Sequence, residues 1–336
     1  MIILGIESSC DETGVAVLRD GKIVVDIISS QITVHGRFGG VVPEYASRMQ
    51  LEAIGHLTEQ ACREAHIRLQ DVDGIAVTIG PGLIGSVLVG LNFAKGIAYA
   101  IDKPLIGIDH VQAHLFSPMI EFPDIHFPYV GLVVSGGHTE LYTVKDFREV
   151  ELKGKTVDDA AGEAYDKVSK SLGLGYPGGP VIDNISMQSK IQKKIKFPMA
   201  LMIKDNYNFS FSGIKTAVIR HIKKIEQPLK QEDTTLIASS FQEAVQNVLV
   251  KKTIALAEQT GINSIAVSGG VAANSRLRQL FDEYKKSFNV YIPRTDLCTD
   301  NGSMIAFLGY QLYKLGKVSN INIDGYANNT RIPEGT

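Results

Sequence analysis

The chain has 336 residues, 44% hydrophobic and 21% charged, with a formal net charge of −2. That length suits about two domains, and the composition excludes a disordered, collagen-like or coiled-coil chain. No overall basic field exists to hold nucleic acid, so any such binding has to come from a local patch or a partner subunit.

Residues 2–6 read as a strand, SSCDETG (8–14) as turn chemistry and residues 15–18 as the return strand of a hairpin with a polar tip. GIAVTIGPG (74–82) reads as a strand running into glycines. An amphipathic helix follows, with Val87, Leu88, Leu91, Ala94, Ile97 and Ala98 on one face. The 21 residues 74–94 carry no charge and match a bilayer span in length. Gly80-Pro81-Gly82, Gly85 and Gly90 break such a helix, so strand–loop–helix is expected instead. PLIGID (104–109) is a further apolar strand, leading into DHVQAH.

GLVVSGGHTELYTV (131–144) repeats the first hairpin at an offset of 126 residues, with Thr139 in the place of Thr13. SIAVSGG (264–270), followed by a helix opening near residues 273–275, repeats the strand and glycines of 74–82 at an offset of 190. The difference of 64 residues is an insertion in the second half, between about 150 and 263. Two related lobes are expected, 1–125 and 126–336. A cleft between such lobes is the default ligand site, and two Gly-rich hairpin tips facing it would clamp an anion with backbone N–H groups.

Three cysteines, Cys10, Cys62 and Cys298, with no C-x-x-C, argue against a disulfide framework or a zinc ribbon and fit a reducing cytoplasm. The opening MIILGIESSCDE has no basic n-region and meets Asp11 and Glu12 early, so no signal peptide is read.

Five motifs carry chemistry. His110 and His114, at i and i+4, share one helix face at a strand's carboxyl end and can reach one metal ion, or are two surface histidines. A metal needs another ligand, and Asp300 in CTDNGSM is the best distant candidate. Asp11, in SSCDET, can orient a water, hold a metal-bound phosphate or repel a wrong anion, or simply cap its own turn. SGGHT (135–139) offers Gly136-Gly137 for close ligand approach and His138 at the tip, or is a plain turn. GPGLIG (80–85) satisfies the dinucleotide fingerprint, but the hairpin before it is foreign to that fold, and tight strand–helix packing explains the glycines equally. DDAAGEAYDK (158–167) and YPGGP (176–180) bring Asp166, Asp183 and the bare backbone of Gly178-Gly179, suited to a ring and a ribose. Asn274 would face the same pocket or cap a helix. Basic residues cluster in SKIQKKIK (189–196), at 220–224, at Lys251-Lys252 and at Arg276/Arg278, either as solvated faces or as a nucleic-acid surface.

GIESSCDETG, GGVVPEYASR, GPGLIGSVLVG, DHVQAH, VSGGHTEL, DDAAGEAYDKVSKSLGLGYPGGP, FSFSGIKTA, SGGVAANSRLR and TDNGSMIA, in this order from residue 2 to about 310, resemble the TsaD family of tRNA threonylcarbamoyladenosine transferases, once labelled O-sialoglycoprotein endopeptidases. The resemblance implies an α/β, actin/Hsp70/sugar-kinase-like duplicated two-lobed fold with a mainly helical insertion in the second lobe. It implies transfer of threonylcarbamoyl from threonylcarbamoyl-AMP to N6 of the adenosine 3′ to the anticodon, in tRNAs reading codons that begin with A. His110, His114 and Asp300 match the family's metal ligands, for one divalent Fe²⁺ or Zn²⁺ per subunit. Val134, Ser135, Gly136, Gly137, His138, Asp166, Gly179, Asp183 and Asn274 match its substrate-binding positions, and Asp11 its catalytic hairpin acid. A TsaB-like paralogue and a TsaE-like ATPase are the implied partners in a bacterium, with a cytoplasmic location and no membrane. Gln50 stands where many relatives carry histidine, and no role is assigned to it.

The rival classes are a kinase or ATPase of the same fold, a metalloprotease and a non-catalytic paralogue. A two-histidine metal site would be unexpected in a kinase or ATPase, which would turn over ATP stoichiometrically with phosphoryl transfer. A zinc protease of the H-E-x-x-H type is excluded because Val-Gln-Ala separates the histidines. Intact ligands and hairpin tips argue against a degenerate partner.

Overall fold

The computed structural model describes residues 1–189, 194–226 and 228–327. The chain forms two compact units, Met1–Pro123 with Thr299–Thr336, and Asp124–Cys298. The first unit contains β1 (Ile2–Glu7), β2 (Glu12–Arg19), β3 (Lys22–Ser30), α1 (Ile32–Gly36), α2 (Pro43–Glu64), β4 (Gly74–Gly80), α3 (Ile84–Ile101), β5 (Leu105–Asp109), α4 (His110–Phe116) and α5 (Pro118–Glu121). The second contains β6 (Tyr129–Val134), β7 (Thr139–Val144), β8 (Val150–Lys155), α6 (Ala161–Ser171), α7 (Gly178–Met187), α8 (Ser212–Ile222), α9 (Gln231–Thr260), β9 (Ser264–Ser268), α10 (Ser275–Asp282) and β10 (Asn289–Tyr291). Helix α11 (Gly302–Lys314) then returns to the first unit.

Both units follow one plan. The first sheet has the order β3-β2-β1-β4-β5, antiparallel from β1 to β3 and parallel from β1 through β4 to β5. The second has the order β10-β9-β6-β7-β8, with the same division. These are the duplicated sheets of an actin/Hsp70/sugar-kinase-like fold. β3 and β8 escaped the sequence reading: β3 has no fully buried residue and β8 is mostly polar, while every residue of β4 and β6 is buried.

The expected boundary at 125/126 falls at 123/124, and the expectation that the second lobe keeps the chain's end is incorrect. Helix α11 packs on β1, β2, β4 and β5, covering the face of the first sheet opposite α3. Its residues Met304 to Leu308 are all buried, so leaving it off would expose a large apolar surface. The charge-free stretch 74–94 divides between β4 and the first turns of α3, as strand–loop–helix requires. α3 is still long and apolar enough to cross a membrane by composition, but Val87, Leu91, Ala94, Ile97 and Ala98 are buried in the core of its unit. Leu88, expected with them, is 40% exposed, because the buried arc of α3 is narrower than its apolar one. The segment 150–263 opens with strand β8 and is otherwise carried by helices α6 to α9, packed around Tyr165, Phe209, Phe211 and Phe241. Each such ring, fully buried, contributes roughly 1.5–3 kcal/mol.

Candidate active site

In the first unit the parallel strands β1, β4 and β5 end side by side, and their last residues converge. Glu7 closes β1, Thr78 lies near the end of β4, and Asp109 closes β5. The Asp109 carboxylate caps α4, accepting from the Gln112 N–H at 2.8 Å. This makes His110 the first helical residue and places His114 one turn later on the same face. The rings lie edge to face with centroids 4.7 Å apart. Both Nε2 atoms point at one oxygen, Asp300 Oδ1, at 3.6 Å from His110 and 3.0 Å from His114.

Asp300 is delivered by the turn before α11, whose N-terminus is fixed twice. Asn301 caps it through the Met304 N–H at 2.8 Å, and the Asp26 carboxylate on β3 accepts from the N–H groups of Gly302 and Ser303. The helix can approach the hairpin this closely only because Gly14 and Gly302 lack side chains. A Cβ on Gly14 would stand 2.6 Å from the Gly302 nitrogen.

Behind the triad sits Glu7, which the sequence reading missed. It is fully buried and accepts from His110 Nδ1 at 3.1 Å, from Thr78 Oγ1 at 2.6 Å and from the Ser9 N–H at 2.5 Å. A carboxylate on Nδ1 sets the imidazole's orientation and leaves Nε2 as the working nitrogen. Burial disfavours charge on both partners, yet their mutual attraction wins. Glu7 is held below the usual carboxylate range, and His110, with help from Asp300, is pushed up to about 9. Glu7 ends an apolar strand, and nothing in the sequence alone tells a buried acid at that position from a solvated one.

More negative charge surrounds the triad. Glu12 is pushed up to about 8 by burial, then by Asp300 and Asp11, with Ser30 opposing. The Asp11 carboxyl is raised by burial and Asp300, against a hydrogen bond from Cys10. Two imidazole nitrogens aimed at one carboxylate oxygen, within a crowd of carboxyls, are a donor set that fits a borderline divalent cation. His110, His114 and Asp300 each offer a ligand atom within 4.8 Å of the others, and they could hold a metal ion. Two residues steady this corner from outside. Buried Gln50 on α2 donates to the carbonyls of Cys10 and Glu12, fixing the hairpin tip. The Tyr326 hydroxyl donates to Asp109.

Gly80 and Gly82 of GPGLIG are there for packing. A Cβ on either would meet the Tyr326 or Ser9 carbonyl oxygen at 2.2 or 2.4 Å. The dinucleotide fingerprint is thereby accounted for without a dinucleotide.

In the second unit Val134 ends β6 and Thr139 begins β7, and residues 135–138 form the tip between them. The tip closes on itself, Ser135 N–H donating to the His138 carbonyl at 2.8 Å and His138 N–H to Ser135 Oγ at 3.1 Å. The Ser135 N–H is thus satisfied within the tip itself. Gly136 and Gly137 remain exposed with open space at their Cβ positions. The start of α6 packs against the tip, with Gly162 N–H donating to the Ser135 carbonyl.

Asp166 on α6 accepts from the Gly178 N–H at 2.7 Å and so holds the first turn of α7, where Gly179 faces open space. Asp183 and Asn274 are brought together through a residue the sequence reading did not single out. Buried Gln242 on α9 donates to Asp183 Oδ1 at 3.1 Å and accepts from Asn274 Nδ2 at 2.8 Å. Asp183 also accepts from the Ser275 N–H and hydroxyl, and Asn274 Oδ1 caps α10. A glutamine inside a long helix carries no signal of its own in a single sequence.

Residues 22–307 match the TsaD family, described as tRNA N6-adenosine threonylcarbamoyltransferase. Two bacterial relatives bear the same description. One, from Thermosipho africanus, is 49% identical over 98% of this chain and 99% of its own length. The other, from Caldicellulosiruptor bescii, is 49% identical over 95% of each. Among solved structures, full-length HypF in its phosphate- and nucleotide-bound form is similar with a TM-score of 0.63 at 16% identity, over 93% of this chain and 56% of that one. Component A of Acidaminococcus fermentans (R)-2-hydroxyglutaryl-CoA dehydratase gives 0.55 at 17%, over 94% and 100%. These two establish the fold alone. On the family match and the full-length relatives, the chain belongs to the TsaD family of tRNA N6-adenosine threonylcarbamoyltransferases, enzymes of acyltransferase type that modify tRNA.

Proposed function

We propose that the chain moves a threonylcarbamoyl group from threonylcarbamoyl-AMP to N6 of the adenosine 3′ to the anticodon, in tRNAs reading codons that begin with A, and releases AMP. The observation that carries this reading is the His110–His114–Asp300 triad backed by buried Glu7, in a chain of this family. The exocyclic amine forms a C–N bond to the carbamoyl carbon, the C–O bond to the AMP phosphate breaks, and the amine loses a proton. Positioning and charge stabilisation supply most of the rate.

Fe²⁺ or Zn²⁺, one per subunit, held by the triad would supply Lewis acidity. Glu7 fixes the His110 ring for that ion. Asp11, whose raised carboxyl sits closer to neutrality, orients the amine and takes its proton. In the second unit, the N–H groups of Gly136 and Gly137 meet the donor's phosphate, beside Val134, Ser135 and His138. Gly179 gives the nucleoside bare backbone, and Asp166, Asp183 and Asn274 shape that pocket. A TsaB-like paralogue and a TsaE-like ATPase complete the system in a bacterial cytoplasm.

The test is transfer of radiolabelled threonine from synthetic threonylcarbamoyl-AMP into tRNA, with and without partner extract. Transfer with one AMP released per label supports the reading. ATP turnover with phosphoryl transfer and no labelled tRNA would establish the kinase alternative. Full transfer by His110→Ala and His114→Ala proteins, with no metal lost, would refute the metal's role.

A further inference from the structure

The basic clusters of the sequence separate into two kinds. Lys252 is buried and donates to the carbonyls of Leu201 and Asn206. Arg278 donates to the carbonyls of Ala272 and Pro293, and Arg276 pairs with Glu243. These cations hold the second unit together. Lys190 and Lys193 lie outside the described residues. What remains is Lys251 on α9 and the group Lys194, Lys196, Arg220, Lys223 and Lys224, all exposed and in no ion pair among the described residues. One acid, Glu226, stands next to them in sequence.

These five belong to one surface. The Phe197 ring packs edge-on against His221 at 6.0 Å between centroids, joining the strand of chain that carries Lys194 and Lys196 to the end of α8 that carries Arg220, Lys223 and Lys224. The same strand is pinned to α9, where Ile195 N–H donates to Ser240 Oγ at 2.9 Å. Gln242 and Glu243 follow on that helix, binding Asp183, Asn274 and Arg276. Lys194 senses both Glu243 and Arg276, with burial the larger influence on its ammonium. The cations therefore run from the edge of the Asp183–Asn274 cluster outward along a single unit, on a chain whose net charge is only −2.

We propose that Lys196, Arg220, Lys223 and Lys224 form a docking surface for the ribose-phosphate backbone of the tRNA substrate. Unpaired lysines and an arginine at this density suit phosphates, which attract cations without regard to sequence and release counterions on binding. An enzyme acting on many tRNAs gains from such contacts because they position the RNA without reading its bases. The proposal rests on tRNA being the substrate, and it places the RNA beside the second unit's pocket.

The experiment compares the full-length protein with K196E/K223E/K224E and with a control of equal charge change, K22E/K286E/K317E, at exposed lysines elsewhere. Filter binding to transcribed tRNA at several salt concentrations gives affinity and its salt slope. The patch variant is expected to lose at least tenfold in affinity and to flatten the slope by roughly two to three, about one per phosphate contact. The control should change less than threefold, and circular dichroism should show all three proteins folded. Equal losses in both variants, wild-type affinity in the patch variant, or no tRNA binding by the wild type would each overturn the proposal. A protein-docking role for the patch would appear as unaltered tRNA affinity and so also refutes it. Transfer of labelled threonine is followed in parallel. Its absence in the wild type refutes the proposed reaction, whereas intact transfer with an unchanged KM for tRNA in the patch variant refutes only the docking surface.

Discussion

Replacing Glu7 with glutamine keeps the volume of a fully buried side chain and removes its charge. In the wild type the Glu7 carboxylate does two opposed things to the candidate metal centre. It orients His110 through Nδ1 at 3.1 Å, a type of contact whose loss typically lowers metal affinity 10- to 100-fold, about 1.4–2.8 kcal/mol. It also holds a competing proton on His110, pushing that group up to about 9 in the metal-free protein against the effect of burial. Metal must displace this proton, so wild-type affinity should climb about tenfold per pH unit from pH 7 towards 9 and then level off. In Glu7→Gln the proton is held less tightly. The loss of affinity should therefore be largest near pH 9, shrink towards pH 7, and leave a flatter pH dependence. Competition of the protein with a chromophoric chelator for Zn²⁺, at half-unit steps between pH 6.5 and 9.5, measures this. Parallel curves for the two proteins, or equal affinity at pH 9, would refute the coupling between Glu7 and His110.

Three further outcomes are expected. Gly14→Ala drives a Cβ to 2.6 Å from the Gly302 nitrogen, so it should cost roughly 1–3 kcal/mol, read as a lower urea midpoint at unchanged m; a shift under 0.5 kcal/mol would mean α11 is not tightly seated. Gln242→Leu strips the partner from Asp183 and Asn274, and should destabilise by about 1–3 kcal/mol and weaken binding of an AMP analogue; unaltered binding at full occupancy of folded protein would remove the pair from the pocket. Glu12 is pushed up to about 8, so between pH 5 and 8 the folded metal-free chain holds a proton that the unfolded chain lacks. Stability of the chelated protein should fall as pH rises through that window, by at most about 1.4 kcal/mol per pH unit, and Glu12→Gln should flatten the decline; an identical slope in both would assign the titration elsewhere.

The duplication was legible because it is written in backbone necessities. Glycines at 80, 82 and 269 stand where other chain passes within van der Waals reach, and IAV runs twice into such glycines. The His110–His114 pair was legible from helical spacing, and Asp300 only as a distant candidate in CTDNGSM that matches the family's motif. Glu7, Gln50 and Gln242 were not, since each acts through partners 30 or more positions away, which no local pattern encodes. Membership of α11 in the first unit was equally hidden. Its apolar face fits either sheet by periodicity, and only shape, through Gly5, Gly14 and Gly302, selects one.

Because the first unit is built from two segments, Met1–Pro123 and Thr299–Thr336, with the second unit between them, its assembly has an order in time. Synthesis delivers residues 1–123 early, with their sheet bare on the side that α11 will cover, and the continuous second unit emerges next. Asp300, the third member of the candidate triad, arrives only after both imidazoles have long left the ribosome. Until then the candidate triad is incomplete, so any ion it holds is acquired late in synthesis.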